Sequence, residues 1–372
     1  MRIHPTDFLL YWAVKILHSF DRRDRSLKSF KPEDVRTILI ISSTGLGDTL
    51  LSTPAIRSIR QRYPGVRIVA FLNSRNMELF ADNPDVDMII PYRGGYRRFF
   101  RTVMQFRNLK PDVALILHGN EPQATPYCYL SGTRYIVKVP KSPQYGYMLS
   151  NADNGISDIS KAHCIDVRLK AASFIGCAAE NRRMTLNVDE KDVAFVEEYL
   201  KGHGINSRNI LIGFQAGAAK KFKVWPDENF IELGKKLLST DAGLRIILTG
   251  APDEIKQCNY IAGQIGEGAL SVAGKIPLKH TRALIKRLSL LVTNDTGTLH
   301  MAIALGTRTV SLFCPTDYRC YGPLYDLHLH RVVAKERPCV KCEFAKCRKP
   351  FCMSSITAEE VFTVIDHDFL GN

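Results

Sequence analysis

The chain has 372 residues, of which 45% are hydrophobic and 24% charged, and its net charge is +14. That length favours two domains over one core, and the composition excludes a disordered or fibrous protein. The positive charge attracts anions, whether nucleic acid, nucleotide, phosphorylated sugar or an anionic membrane, and does not choose among them.

Residues 8–20 (FLLYWAVKILHSF) are apolar apart from Lys15, His18 and Ser19, and Arg22, Arg23 and Arg25 follow. As a helix this run reaches only about 20 Å, short of the ~30 Å hydrocarbon core, so it does not span a bilayer. Lys15 interrupts the apolar stretch and no small-residue cleavage site follows, which argues against a secretory signal. Two readings stay open: an interfacial helix on a membrane, or a helix packed on its own domain.

Residues 37–41 (TILII) form a β-branched run ending in a small polar loop, which predicts a first parallel strand. Residues 50–63 carry helical spacing, with Thr53 before Pro54 as cap and first-turn proline. Strands at 67–72, 88–91 and 113–117 alternate with helical patterns at 77–80 and 96–109, and a helix near 162–176 closes the first half. The segment 93–110 holds six basic residues and no acidic one, with aromatic residues interleaved; it is either a solvated basic helix face or an anion-contacting one. A helix over 189–200 lies in the expected linker. Strand and helix then alternate again: strands at 210–214, 245–249, 270–272 and 290–293, helices at 227–238, 254–266 and 278–288, and a capped last helix at 358–365. Such alternation predicts an α/β protein with two doubly wound, Rossmann-like units.

The loop Gly45-Leu46-Gly47-Asp48 suggests a dinucleotide fingerprint, but the third glycine position holds Leu50, and no Walker A string occurs. Asp48 itself stands at the carboxyl end of a first strand, where ligands of open α/β sheets gather, and it either caps the next helix or takes a proton from an attacking hydroxyl. In the second half, Gln215-Ala216-Gly217-Ala218 follows a strand, and Lys220, Lys221 and Lys223 crowd the turn before Trp225-Pro226, either as a diphosphate site or as solvated loop lysines. Asn294-Asp295-Thr296-Gly297 opens a helix whose dipole and amides favour phosphate; His300 on that helix is assigned binding or support. Two D-x-D strings, Asp85/Asp87 and Asp366/Asp368, sit in a turn and in the last helix and do not look like metal sites. Six of the ten cysteines are scattered. The other four, Cys339, Cys342, Cys347 and Cys352, follow C-x2-C-x4-C-x4-C, which leaves a structural zinc site, disulfides and unlinked thiols all open.

Four strings in order, STGLGDTLLSTPAIRSIRQRYPGVRI, GFQAGAAKKFKVWPDENFIELGKKL, LTGAPDE and LVTNDTGTLHMAIALGTRTVSLFCPTD, resemble the family-nine glycosyltransferases, the ADP-heptose:lipopolysaccharide heptosyltransferases and relatives. The resemblance implies a GT-B fold of two Rossmann-like domains facing each other across a cleft. It also implies inverting, metal-independent transfer of a sugar, heptose from ADP-heptose, to a lipopolysaccharide-type or other lipid-linked saccharide. The expected organisation is a basic apolar leader (1–35), an acceptor domain (36–187), a linker (188–208), a nucleotide-sugar domain (209–337) and a Cys-rich tail with a helix (338–372). Carried across by motif, Asp48 is the general base, and Gly217, Lys223, Asp295, Thr296, Gly297 and His300 hold the donor. Arg97, Arg98 and Arg101 are candidates for an acidic acceptor. No catalytic cofactor is expected beyond the nucleotide-sugar co-substrate, and no nucleic-acid partner. Such an enzyme works in the bacterial cytoplasm, in peripheral contact with the inner face of the membrane. The alternatives are a GT-B transferase using a UDP- or GDP-sugar, or a catalytically silent carbohydrate-binding scaffold.

Overall fold

The computed structural model describes residues 5–119, 123–139, 143–152, 161–337, 339, 347 and 352–371, and the chain divides into two compact units, Met1–Met184 and Thr185–Asn372. The first unit has five parallel strands: β1 Thr37–Ser42, β2 Arg67–Asn73, β3 Met88–Tyr92, β4 Val113–His118 and β5 Tyr135–Val137, in the order β3-β2-β1-β4-β5. Its helices are α1 Pro5–Ser19, α2 Leu46–Leu50, α3 Thr53–Arg62, α4 Phe99–Leu109, α5 Ala124–Leu130 and α6 Cys164–Ser173. Residues 38–41 are wholly buried, as expected of a central parallel strand covered on both faces.

The second unit has six parallel strands, β6 Ile210–Gln215, β7 Leu244–Thr249, β8 Ala269–Ser271, β9 Leu290–Asn294, β10 Thr309–Phe313 and β11 His330–Ala334, ordered β11-β10-β9-β6-β7-β8. Counted within the unit this is the 3-2-1-4-5-6 Rossmann order, whose direction reverses between β6 and β9. In the first sheet the reversal lies between β1 and β4. Helices α7 Glu190–Lys201, α8 Asp227–Leu238, α9 Ile255–Ile265, α10 Leu278–Arg287, α11 Gly297–Leu305, α12 Tyr318–Tyr321 and α13 Ala358–Ile365 complete it. Val361 and Ile365 of α13 are buried in the second core beside Trp225 and Phe230.

Several expectations need adjusting. The helix read over 50–63 is two helices, α2 and α3; Ser52 rather than Thr53 is the cap residue, and Thr53 is the first helical residue, its hydroxyl donating to Leu50 O at 2.7 Å. The pattern at 96–109 begins with a 3-10 turn, Tyr96–Arg98. Helix α7, inside the expected linker, belongs to the second unit: buried Asp192 accepts from Arg282 Nε at 2.7 Å and pairs with His280 Nδ1 at 2.8 Å, tying α7 to α10. The leader belongs to the first unit, where Val14 is buried and Leu10 and Tyr11 pack on the core. Among the described residues no helix is long and apolar enough to cross a membrane. Of the tail cysteines, Cys339 and Cys347 are exposed and Cys352 half-buried; Cys342 lies outside the described residues, so the four-cysteine zinc site falls partly outside them as well.

Candidate active site

In the first unit the chemistry collects where the strand order reverses. Strand β1 ends at Ser42, and the Ser43 N–H donates to His118 O at 2.9 Å, joining the ends of β1 and β4. The Asn73 side chain donates to Thr44 O at 2.9 Å and fixes the loop that follows. Helix α2 then lifts Asp48 onto the carboxyl edge of the sheet.

Asp48 does contact the Gly45 N–H, but at a long 3.4 Å, so capping is the lesser part of its role. Its Oδ1 accepts from Arg168 Nη2 at 3.0 Å, and its Oδ2 accepts from Thr44 Oγ1 at 2.8 Å. Arg168, 2% exposed, is itself fixed by donating to Ser52 Oγ at 3.0 Å and to Cys164 O at 2.8 Å. His118 Nδ1 lies 2.6 Å from Thr44 Oγ1, and its Nε2 lies 3.5 Å from Asp48 Oδ1. A hydroxyl has one proton; with Thr44 donating it to the carboxylate, the His118 contact requires Nδ1–H as donor. Both ring nitrogens are turned toward oxygens. Burial pushes the Asp48 carboxyl up, but the charges of His118 and Arg168 and the hydrogen bonds from Thr44 and Gly45 outweigh it and hold the group below the usual carboxylate range. Asp48 is therefore held ionised, and its side chain is 26% exposed.

On the same carboxyl edge, beyond β3, Arg93, Arg98 and Arg101 line a 160 Å³ hollow with Thr102, Gln105 and Tyr127. Among the described residues none of the three guanidiniums is paired with an acid. Arg97, expected to join them, does not line this hollow; it is exposed.

In the second unit the corresponding position lies between β6 and β9. Asn294, at the end of β9, staples the two loops: its amide donates to Ala216 O at 2.9 Å, and its carbonyl accepts from Trp225 N at 3.1 Å. Trp225 is wholly buried and donates from its indole to Ile356 O at 2.8 Å, which pins the 3-10 turn Lys221–Lys223. That turn brings in one lysine of three. Lys223 Nζ lies 2.5 Å from Asp295 Oδ2, while Lys220 and Lys221 remain exposed. Asp295 also accepts from Thr316 Oγ1 at 2.7 Å. An ammonium has three donors, so Lys223 keeps donors for a further anion after meeting Asp295. Thr296 is the extended cap residue of α11 and makes no side-chain cap bond, which leaves the first-turn N–H groups of Gly297 and its successors uncapped by it. His300 is buried in the same helix.

The sequence reading missed three side chains here. His118 ends a strand at the switch point, a signal available in the pattern. Arg168 lies 120 positions from Asp48 on an ordinary-looking helix and gives no local signal. Glu254 sits in the quoted LTGAPDE string, where it accepts from Ala251 N at 2.8 Å and Gln215 Nε2 at 3.3 Å, and burial raises its carboxyl. A Cβ at Gly217 would fall 1.8 Å from Glu254 Oε1, so glycine at 217 answers to the close approach of this acid.

The chain is similar to known proteins of one family. The model of glycosyltransferase family 9 (heptosyltransferase) matches residues 145–351. Lipopolysaccharide heptosyltransferase 3 of Escherichia coli is 22% identical over 293 residues, covering 74% of this chain and 83% of that protein. Among solved structures, a glycosyl transferase family 9 protein from Veillonella parvula superposes with a TM-score of 0.75 at 21% identity, covering 92% of this chain and 99% of the other. The ADP-heptose lps heptosyltransferase II of E. coli gives 0.72 at 22% identity, with 90% and 98% covered. The two Rossmann-like units are those of the GT-B fold. The family model spans more than half of the chain, and the chain belongs to glycosyltransferase family 9, the heptosyltransferase family, and is a glycosyltransferase.

Proposed function

We propose that the protein transfers a sugar, heptose from ADP-heptose, onto a lipid-linked saccharide of lipopolysaccharide type, with inversion and without a catalytic metal, at the inner face of the cytoplasmic membrane. The observation that carries this reading is Asp48: a carboxylate at a topological switch point, kept ionised by Arg168 and His118 yet open to an incoming hydroxyl. In the proposed step Asp48 takes the proton of an acceptor hydroxyl as that oxygen bonds to the anomeric carbon. The bond from that carbon to the diphosphate oxygen breaks on the opposite face, and the electron pair leaves with the nucleotide.

Lys223 and the first-turn amides of α11 stabilise the departing diphosphate, the largest single contribution expected in such a site. Asp295 positions Lys223, and its second contact, with Thr316, fixes the carboxylate. Glu254, beside Gly217 at the end of β6, is placed to accept hydrogen bonds from nucleotide or sugar hydroxyls. Support for cation-based rather than metal-based charge neutralisation comes from the D-x-D strings: Asp87 is engaged by Arg60 at 2.6 Å and the Ile68 N–H at 2.7 Å, and Asp368 by Arg331 at 2.6 Å. The donor reading rests on the name of the E. coli structural relative, an ADP-heptose enzyme. The Arg93–Arg98–Arg101 hollow is the candidate contact for an anionic acceptor group.

A panel of ADP, GDP and UDP in a thermal-shift assay, followed by turnover of the matching sugar nucleotides in the presence of chelator, tests the reading. Selective stabilisation by ADP and chelator-insensitive transfer are expected. Preference for GDP or UDP would overturn the donor assignment, and loss of turnover with chelator would overturn metal independence.

A further inference from the structure

We propose that the outer faces of α1 and α4 together form a docking surface for an anionic bilayer. Helix α1 is apolar on both sides. One side, with Val14, Leu10 and Tyr11, packs on the first core. The other turns Phe8, Leu9, Trp12, Ile16 and Leu17 to solvent, four of these five more than half exposed, and Phe20 just beyond is 79% exposed. Helix α4 repeats the arrangement. Phe99, Val103 and Phe106 enter the same core, while Phe100 (80% exposed) and Met104, one turn apart, point outward.

The two helices approach each other near both ends. Tyr96, just before α4, donates to Asp7 in the first turn of α1. At the other end, Leu17 and Phe20 share a 460 Å³ hollow with Arg107 in the last turn of α4. Isolated exposed apolar residues need no explanation, but seven large ones on two neighbouring helices, with Phe20 just past the first, do.

The charge around the patch identifies the occupant. Lys15, Arg22, Arg97 and Arg107 are exposed within or beside it. The only acid on either helix is Asp7, which is tied to Tyr96, and Asp21 just beyond α1, in the same hollow, is held by Arg23 and Arg25. Lys15 Nζ sits 5.0 Å from the Trp12 ring centre, its stem lying along apolar surface as an interfacial lysine's does. A second copy of the chain would set these like charges against each other, whereas anionic headgroups neutralise them while acyl chains receive the apolar side chains. At 15 residues α1 is about 22 Å long, suited to lying in the interface rather than crossing it. This deepens the lipid-linked acceptor reading, but vesicles alone test it, without donor or acceptor, so the two can fail separately.

The chain holds two tryptophans, and Trp225 is wholly buried, so a change of emission on adding vesicles reports Trp12. The full-length protein is mixed with vesicles of phosphatidylcholine alone or with 30% phosphatidylglycerol, and binding is read by co-sedimentation and by the Trp12 emission. A blue shift with the anionic vesicles only is expected. In L9S/I16S/F20S, whose replaced side chains are exposed, binding falls about a hundredfold or more. In K15E/R22E it falls at least roughly fivefold per cation removed, and W12F keeps binding but loses the shift. Wild-type binding by L9S/I16S/F20S, or no shift with anionic vesicles, overturns the proposal. So does a concentration-dependent dimer, seen by light scattering, that L9S/I16S/F20S abolishes, because the face would then be covered by another copy.

Discussion

Replacing Arg168 with methionine removes the cation beside Asp48 while keeping an unbranched stem to fill the buried space. Arg168 donates one charge-assisted bond, to Asp48, and two to neutral acceptors, Ser52 Oγ and Cys164 O. The first contributes about 1.5–3 kcal/mol and each neutral bond ~1 kcal/mol, less for Ser52, whose hydroxyl keeps Ser42 and Asp48 O as partners. Breaking a buried pair by deleting one partner costs ~3–5 kcal/mol, and Asp48's remaining water access places the expected loss near the lower end, about 3 kcal/mol. Burial then counts for more at Asp48, so its carboxyl moves up from its depressed position. The acid limb of the pH–rate profile shifts to higher pH, and part of the lost activity returns as the pH is raised. The wild-type contribution of Asp48 to stability is present above the ordinary carboxylate pKa and lost as pH falls through the lowered one; without Arg168 that loss begins at higher pH. Chemical denaturation of Arg168→Met, Asp48→Asn and the double variant gives the coupling directly. Additive costs, or an unmoved acid limb, would refute the argument that Arg168 acts through Asp48.

Lys223→Ala is expected to weaken ADP binding by calorimetry while leaving the first unit's stability unchanged; near-normal binding would remove Lys223 from the diphosphate site. Gly217→Ala forces Glu254 away from its bonds to Ala251 and Gln215, at a cost of ~1–3 kcal/mol, so both denaturation midpoint and nucleotide affinity should fall together. Burial lowers His330 to about 4. As pH drops from about 6.5 toward 4 the unfolded chain takes up a proton that the folded one refuses, and the second unit loses up to ~3 kcal/mol. His330→Asn, whose carbonyl can still accept from Thr309, should flatten that dependence in urea titrations at pH 7.5 and 4.5; equal slopes would count against it.

The alternation of strands and helices was legible because buried parallel strands such as residues 38–41 and 244–249 are short apolar runs that no loop resembles. Most of what escaped was short or atypical: α5 carries Pro126 within ATPYCYL, β5 is three residues long, and edge strand β11 is flanked by charge; β10, a wholly buried run TVSLF, also went unread because it follows closely on the helix opened by Asn294–Gly297. At the site, Asp48 and Asp295 could be found because each follows closely on a strand end, and Lys223 was singled out by the family motif rather than by spacing. Which lysine of the 220–223 run turns inward could not be read from spacing, since that depends on Trp225 being anchored by Asn294 and Ile356. Arg168 was invisible for the same reason: its partner is set by α6 packing on α3, a contact between segments more than a hundred residues apart.

The most direct test of the central claim follows single turnover of ADP-heptose with a lipopolysaccharide-type acceptor, reading product anomeric configuration by NMR for the wild-type enzyme and rate for Asp48→Asn. The account predicts an inverted product and a kcat lower by ~10²–10⁴-fold in Asp48→Asn, with ADP affinity retained. A product of retained configuration, or an Asp48→Asn enzyme turning over at the wild-type rate, would contradict it.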